Sequence, residues 1–293
     1  MSRTARSGAV ELVYETFGSP EDPTLLLVNG LGSQMIAWAP GMVDAFVTEG
    51  FHVIRFDNRD VGLSTWLDEF DIDVVGTLKR VEAGESVDVP YDLSDMAADA
   101  VAVLDAAGID RAHILGVSMG GMIVQTMAIE YPERVATLTS VMSRTGEADY
   151  GVSTPEASRG LMSPAPAERS AVIQHTVDTG RLWASPDWYD EDRARARAAA
   201  AYDRAHHPIG VGRQMLAVRA SPDRTEGLRE LDVPTLVIHG ASDTLIPPDG
   251  GERTAELIPG AELLLIEGMG HDYPPEVWPS WATAVRALRD RAD

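Results

Sequence analysis

Three residues of this chain, Ser118, Asp243 and His271, have the types and the order that acyl transfer to a serine requires. A serine hydroxyl is a weak nucleophile until a base takes its proton, and an imidazole serves as that base when a carboxylate fixes its tautomer. Ser118 sits in Gly116-Val117-Ser118-Met119-Gly120, between the apolar run His113-Ile114-Leu115 and the helical pattern that starts at Gly121-Met122-Ile123. The pattern is a strand, a sharp turn and a helix, with the serine at the tip. Such a turn strains the serine backbone, and glycines two before and two after it leave room for strand and helix to pass closely. The hydroxyl then stands at a helix N-terminus, where free N–H groups and the positive end of the dipole favour a developing oxyanion.

A bare Gly-x-Ser-x-Gly also arises as a simple joining turn, so the reading depends on finding an acid and a base downstream. Val233-Pro234-Thr235-Leu236-Val237-Ile238-His239-Gly240 is a proline-opened strand, and the loop beyond it carries Asp243. Leu263-Leu264-Leu265-Ile266 is the next strand, and Met269-Gly270-His271 lies just past it. In a parallel sheet the carboxyl ends of strands share one edge, so loops distant in sequence converge there. After the strand at 135–142 come Ser143-Arg144-Thr145-Gly146 with no nearby carboxylate, which favours Asp243 as the acid. Asp272 adjoins the base but is poorly placed to accept from its ring.

Strands are expected at 10–18, 24–28 and 51–56 as well. A helix is expected over 91–105, capped by Asp92 or Ser94 and stopped by Gly108, and an amphipathic helix over 280–290. The acidic stretch 66–91 lacks periodicity and reads as a surface excursion bordering the site. From about 144 to 223 the composition shifts to Ala, Arg, Pro and acidic residues, with no convincing strand and a helical run at 190–201. This stretch reads as an inserted helical cap, dividing the chain into core 1–143, cap 144–223 and core 224–293. Gly30-x-Gly32 has Met35 where a dinucleotide fingerprint needs its third glycine. The charged loop 57–64 reads as a strand-end scaffold, and His206-His207 point apart with no ligand set around them.

On these residues the chain resembles the α/β-hydrolase superfamily over nearly its whole length, and within it the aclacinomycin methylesterase-like carboxylesterases. The resemblance implies an α/β fold with a mostly parallel sheet of about eight strands flanked by helices, and a helical cap inserted after the strand that follows the nucleophile helix. It puts Ser118, Asp243 and His271 in the nucleophile, acid and base positions. It makes the backbone N–H groups of Leu31 and Met119 the oxyanion hole, with Asn29 where histidine is commoner in the preceding loop. The candidate substrate pocket takes in Gln34, Trp38, Met142, Trp183, Trp188, Met215, Ile246 and Tyr273, which cap-to-core packing would also use.

The expected activity is therefore that of a serine esterase cleaving small-molecule carboxylic esters through an acyl-enzyme on Ser118, with no metal or organic cofactor. The same triad serves lactones, thioesters, amides or carbon–carbon bonds, and a ligand-binding protein of this fold without catalysis is the alternative from another class. Enzymes of the fold with a carboxylate nucleophile are disfavoured by Ser118. The 293 residues carry 24 basic and 46 acidic side chains, a net charge of −22 that argues against nucleic acid or an anionic membrane as partner. Only Lys79 is lysine, and the absence of cysteine excludes disulfides and thiolate chemistry. With no secretory h-region at the N-terminus and no apolar run of about eighteen residues, a cytoplasmic protein is the expectation.

Overall fold

A computed structural model describes residues 2–292. The strands are β1 (Arg3–Ser7), β2 (Val10–Phe17), β3 (Thr24–Val28), β4 (His52–Phe56), β5 (Ala112–Val117), β6 (Val135–Val141), β7 (Thr235–Gly240) and β8 (Glu262–Ile266). They form one sheet in the order β1-β2-β4-β3-β5-β6-β7-β8, antiparallel from β1 to β4 and parallel from there to β8. A parallel strand covered on both faces reads as a nearly continuous apolar run, as β3 does with Leu25-Leu26-Leu27-Val28. Alternation along that strand sends Leu25 and Leu27 to one core and Leu26 and Val28 to the other.

The helices are α1 (Pro40–Thr48), α2 (Val74–Glu82), α3 (Leu93–Ala107), α4 (Met119–Glu130), α5 (Pro155–Leu161), α6 (Arg169–Arg181), α7 (Glu191–Arg204), α8 (Pro208–Ala220), α9 (Thr225–Arg229), α10 (Pro248–Leu257) and α11 (Trp278–Ala292). Met96, Val103, Ile123 and Met127 of α3 and α4 fill the first core. Phe46 of α1 with Trp281 and Val285 of α11 fill the second. The first ten residues of α4 are all buried, which fits an apolar helix with no polar face. No described helix is long and apolar enough to cross a membrane.

Two elements differ from the sequence reading. β1 has no apolar run to announce it; only its Ala5 is buried, and it exists by pairing along the free edge of β2. Within the 66–91 stretch, α2 is a nine-residue helix capped by the Asp73 carboxylate on the Gly76 N–H. Its inward face is little more than Thr77 and Leu78, too short for the period to register, and α8 supplies the partner that holds it. Elsewhere the caps follow the sequence: Asp92 accepts from the Ser94 and Asp95 N–H groups, Asp95 reciprocates, and Gly108 ends α3 at φ 73°.

Helices α5 to α8 form an insert between β6 and β7. Buried charge ties it to the loops after β3 and β4. Arg213 of α8 makes a two-pronged contact with Asp60 at 2.8 and 2.7 Å, with side chains 1% and 0% exposed. Arg204, ending α7, reaches Asp57 at 2.7 Å, and Asp57 also accepts from the Met35 and Leu63 N–H groups. The 57–64 loop is thus a scaffold, as expected. Removing one partner of a buried pair leaves the other charge uncompensated, so Arg213→Ala should lower stability by about 3 kcal/mol or more in chemical denaturation. Arg169→Ala, which breaks the exposed pair of Arg169 with Asp203, should leave the unfolding midpoint unchanged.

Candidate active site

The site begins where β5 gives way to α4. Ser118 occupies the single residue between them, at φ 56° and ψ −120°. A non-glycine residue there costs about 1–3 kcal/mol and persists only where its surroundings over-determine it. They do: the Ser118 N–H donates to the Val141 carbonyl at 2.9 Å, and its own carbonyl accepts from Ser143 Oγ at 2.8 Å. A β-carbon on Gly116 would stand 2.0 Å from the Gly120 carbonyl oxygen, and one on Gly120 would stand 2.2 Å from that of Val28. Backbone therefore packs on backbone with no space for a side chain.

His271, beyond β8, places Nε2 3.0 Å from Ser118 Oγ and Nδ1 2.6 Å from Asp243 Oδ2. A carboxylate only accepts, so Nδ1 carries the proton and Nε2 faces the hydroxyl as acceptor. Asp243, beyond β7, is held by the N–H groups of Leu245 and Ile246 on Oδ1 at 2.8 and 2.9 Å. Burial alone would raise this carboxyl, but the charge and hydrogen bond of His271, together with His239, outweigh it and hold the group at about 2. His239 lies 3.6 Å from Asp243 Oδ2 while its Nε2–H donates to the Ile246 carbonyl at 2.8 Å. A proton can pass from such a hydroxyl to the imidazole while the carboxylate stabilises the imidazolium.

The loop after β3 runs alongside. A β-carbon on Gly30 would come 3.1 Å from Ser118 Cβ. Leu31 is next, half-buried, and Gly32 donates its N–H to Gln214 of α8 at 2.9 Å. Asn29 donates from Nδ2 to the Phe56 carbonyl at 3.5 Å, and the Asn29 carbonyl accepts from Asn58 Nδ2 at 3.1 Å. Met119 is the first residue of α4, a position whose N–H has no intrahelical carbonyl to meet.

The eight candidate pocket residues divide. Trp38 and Tyr273 stack at 5.4 Å between ring centroids, in the same core as Met142, and Trp188 packs against that core. Trp183 lies over Gly160 within the insert. Met215 joins Leu78 and Leu216 in a small apolar cluster that Leu31 touches, and Ile246 belongs to the opposite core. Gln34 is engaged by the insert: Nε2 donates to the carbonyls of Ala201 and Ala205, and Oε1 accepts from Arg204, each at 2.7 Å. His206 stacks on Tyr202 and His207 on Trp66, so the two imidazoles part. Among the described residues no three His, Asp or Glu side chains group as metal ligands.

Two residues close to this geometry do not stand out in the sequence. His239 lies within an otherwise apolar strand, and its only signal is that a polar residue interrupts such a run four before the acid. Ser143 leaves none, because its partner is a backbone carbonyl.

The sequence profile of the alpha/beta hydrolase fold family matches residues 23–274. Rhodomycin D methylesterase DnrP of Streptomyces peucetius is 29% identical, over 98% of this chain and 97% of that protein. A putative carbamate hydrolase, RutD of Caulobacter segnis, is 27% identical over 91% and 92%. Among solved structures, the meta-cleavage product hydrolase CumD of Pseudomonas fluorescens superposes with a TM-score of 0.76 at 20% identity, covering 99% of this chain and 98% of that one.

The depressed acid gives the site a pH signature. A carboxyl that folds with a lowered pKa adds stability above its unfolded value, about 4, and loses it as pH falls toward its folded value. For Asp243, held at about 2, that contribution is about 2 kcal/mol. The stability gap between wild type and Asp243→Asn should therefore narrow as pH drops from about 4 to about 2. Melting curves across that window test it, and a gap independent of pH would refute it.

Proposed function

Because the chain belongs to the alpha/beta hydrolase fold family and is a hydrolase, we propose that it cleaves carboxylic esters of small molecules through an acyl-enzyme on Ser118. The observation that carries this reading is the continuous hydrogen-bonded path from Ser118 Oγ through His271 to Asp243, with the hydroxyl at the N-terminus of α4. In the reaction, His271 Nε2 takes the hydroxyl proton as Oγ attacks the ester carbonyl. Asp243 stabilises the imidazolium, and the Leu31 and Met119 N–H groups receive the negative charge of the tetrahedral oxygen. The imidazolium returns its proton to the departing alkoxide, leaving the acyl group on Ser118. Water then attacks the acyl carbon as the same base takes its proton, and the imidazolium returns that proton to Ser118 Oγ as the acyl–oxygen bond breaks and the carboxylic acid departs.

In this reading residues 144–223 are the cap over the site. The apolar contact of Leu31 with the Met215 cluster sets non-polar side chains beside the Gly30–Gly32 loop, which suits an uncharged ester. The methylesterase relative supports a methyl ester on a larger acyl group as one substrate form. The carbamate hydrolase relative supports a second reading, the same triad acting on a carbamate carbonyl.

A chain-length series of p-nitrophenyl esters, run beside Ser118→Ala and Asp243→Asn, tests the proposal. Wild type should turn over the shorter acyl esters, Ser118→Ala should lose all but background, and Asp243→Asn should fall by about 10⁴-fold in kcat. Turnover by Ser118→Ala near the wild-type rate would end it. Wild type silent on esters but active on a matched p-nitrophenyl carbamate would select the second reading.

A further inference from the structure

The loop that carries His271 belongs to no helix or strand, so something other than secondary structure must set where the imidazole stands. The core holds one end of that loop, the Ser242 N–H donating to the Met269 carbonyl at 2.9 Å, and the insert holds the residues around the imidazole, through 182–185 between α6 and α7. The His271 N–H donates to the Trp183 carbonyl at 2.6 Å, and the Gly270 N–H donates to Ser185 Oγ at 3.0 Å. The Ser185 N–H donates to Asp272 Oδ1 at 2.9 Å, and the Ser185 hydroxyl donates to the same oxygen. A β-carbon on Gly270 would stand 2.4 Å from the Trp183 carbonyl oxygen, so the two segments touch backbone to backbone. The acid loop is tied to the same stretch, because Thr244 Oγ1 donates to the Leu182 carbonyl at 2.8 Å.

We propose that Ser185 and Asp272 are positioning residues for the base: a clasp by which the insert fixes His271 against Ser118. The inference rests on the reading of His271 as base. Its direction comes from donor counting. Ser185 is fully buried, its hydroxyl has one proton, and the Gly270 N–H already occupies an acceptor position on that oxygen. The proton therefore goes to Asp272, which only accepts, and no other arrangement satisfies all three groups. Without the Ser185 hydroxyl the Gly270 N–H loses its partner one residue from the base. A displacement of about 1 Å at a reacting group costs about 100-fold in rate, which puts the 3.0 Å contact of His271 with Ser118 within reach of this clasp.

The test compares wild type, Ser185→Ala, Asp272→Ala, Asp272→Asn and Ser118→Ala on p-nitrophenyl acetate, together with the rate at which a fluorophosphonate labels Ser118. That labelling needs the base but not the ester pocket. Ser185→Ala and Asp272→Ala should lose about 10- to 100-fold in both kcat and labelling rate, with KM within about threefold. Asp272→Asn keeps an oxygen that accepts both Ser185 bonds and should stay within about threefold of wild type. Asp272 is only partly buried, so its variants report even if Ser185→Ala fails to fold. Folded Asp272→Ala with wild-type kcat and labelling, beside an inactive Ser118→Ala, overturns the clasp alone. Asp272→Asn falling as far as Asp272→Ala also overturns it, by assigning the effect to charge. Turnover in Ser118→Ala at the wild-type rate removes the reading beneath it.

Discussion

The rest of the site depends on one contact of backbone with backbone, where the first turn of α4 crosses the ends of β3 and β5. Gly116 meets the Gly120 carbonyl and Gly120 meets that of Val28, at separations that leave no room for a β-carbon. That closeness puts the loop after β3 beside Ser118 and brings a helix N-terminus to the serine. It also bends the serine into a conformation that a free peptide would leave. Hydrogen bonds to Val141 and from Ser143 then hold the bend on both sides. The strain is local, and the core around it is what sustains it.

Around that contact, the buried carboxylates are each met by several donors. Asp243 lies where an ionised carboxylate is costly, and two backbone N–H groups and two imidazoles answer it. The charged residues between insert and core obey the same rule. Asp57 and Asp60 are each met by an arginine, whose planar fork suits a carboxylate better than a lysine's point charge would. In a chain with one lysine these fasteners are all arginine, and they leave little acceptor capacity unfilled.

The parts of the molecule that are regular along the chain are legible in its sequence. The buried strands announce themselves as apolar runs, α3 by its cap and terminal glycine, and the turn at Ser118 by its two glycines. Because the sheet is parallel, the loops carrying Ser118, Asp243 and His271 are expected along one edge, and the structure brings the three side chains into contact. What stays hidden depends on pairing. β1 forms only because β2 offers an edge, and α2 only because α8 covers its short inner face. Gln34 can be placed near the site from its loop, but nothing in the sequence shows that α7 takes up its amide. Ser185 is one serine among many until the fold sets it opposite Gly270 and Asp272.

The stretch at 182–185 bears on how such an insert changes over generations. A segment that only roofs a pocket can be exchanged, lengthened or recomposed to suit a new compound while the machinery beneath is untouched. Here the insert shares hydrogen bonds with the loops of Asp243 and His271. Recombination that replaced residues 144–223 wholesale would bring in a new Leu182–Ser185 equivalent with them. Changes that leave these bonds intact are thereby confined to the outward faces of α5 to α8, with the Leu182–Ser185 connection held fixed.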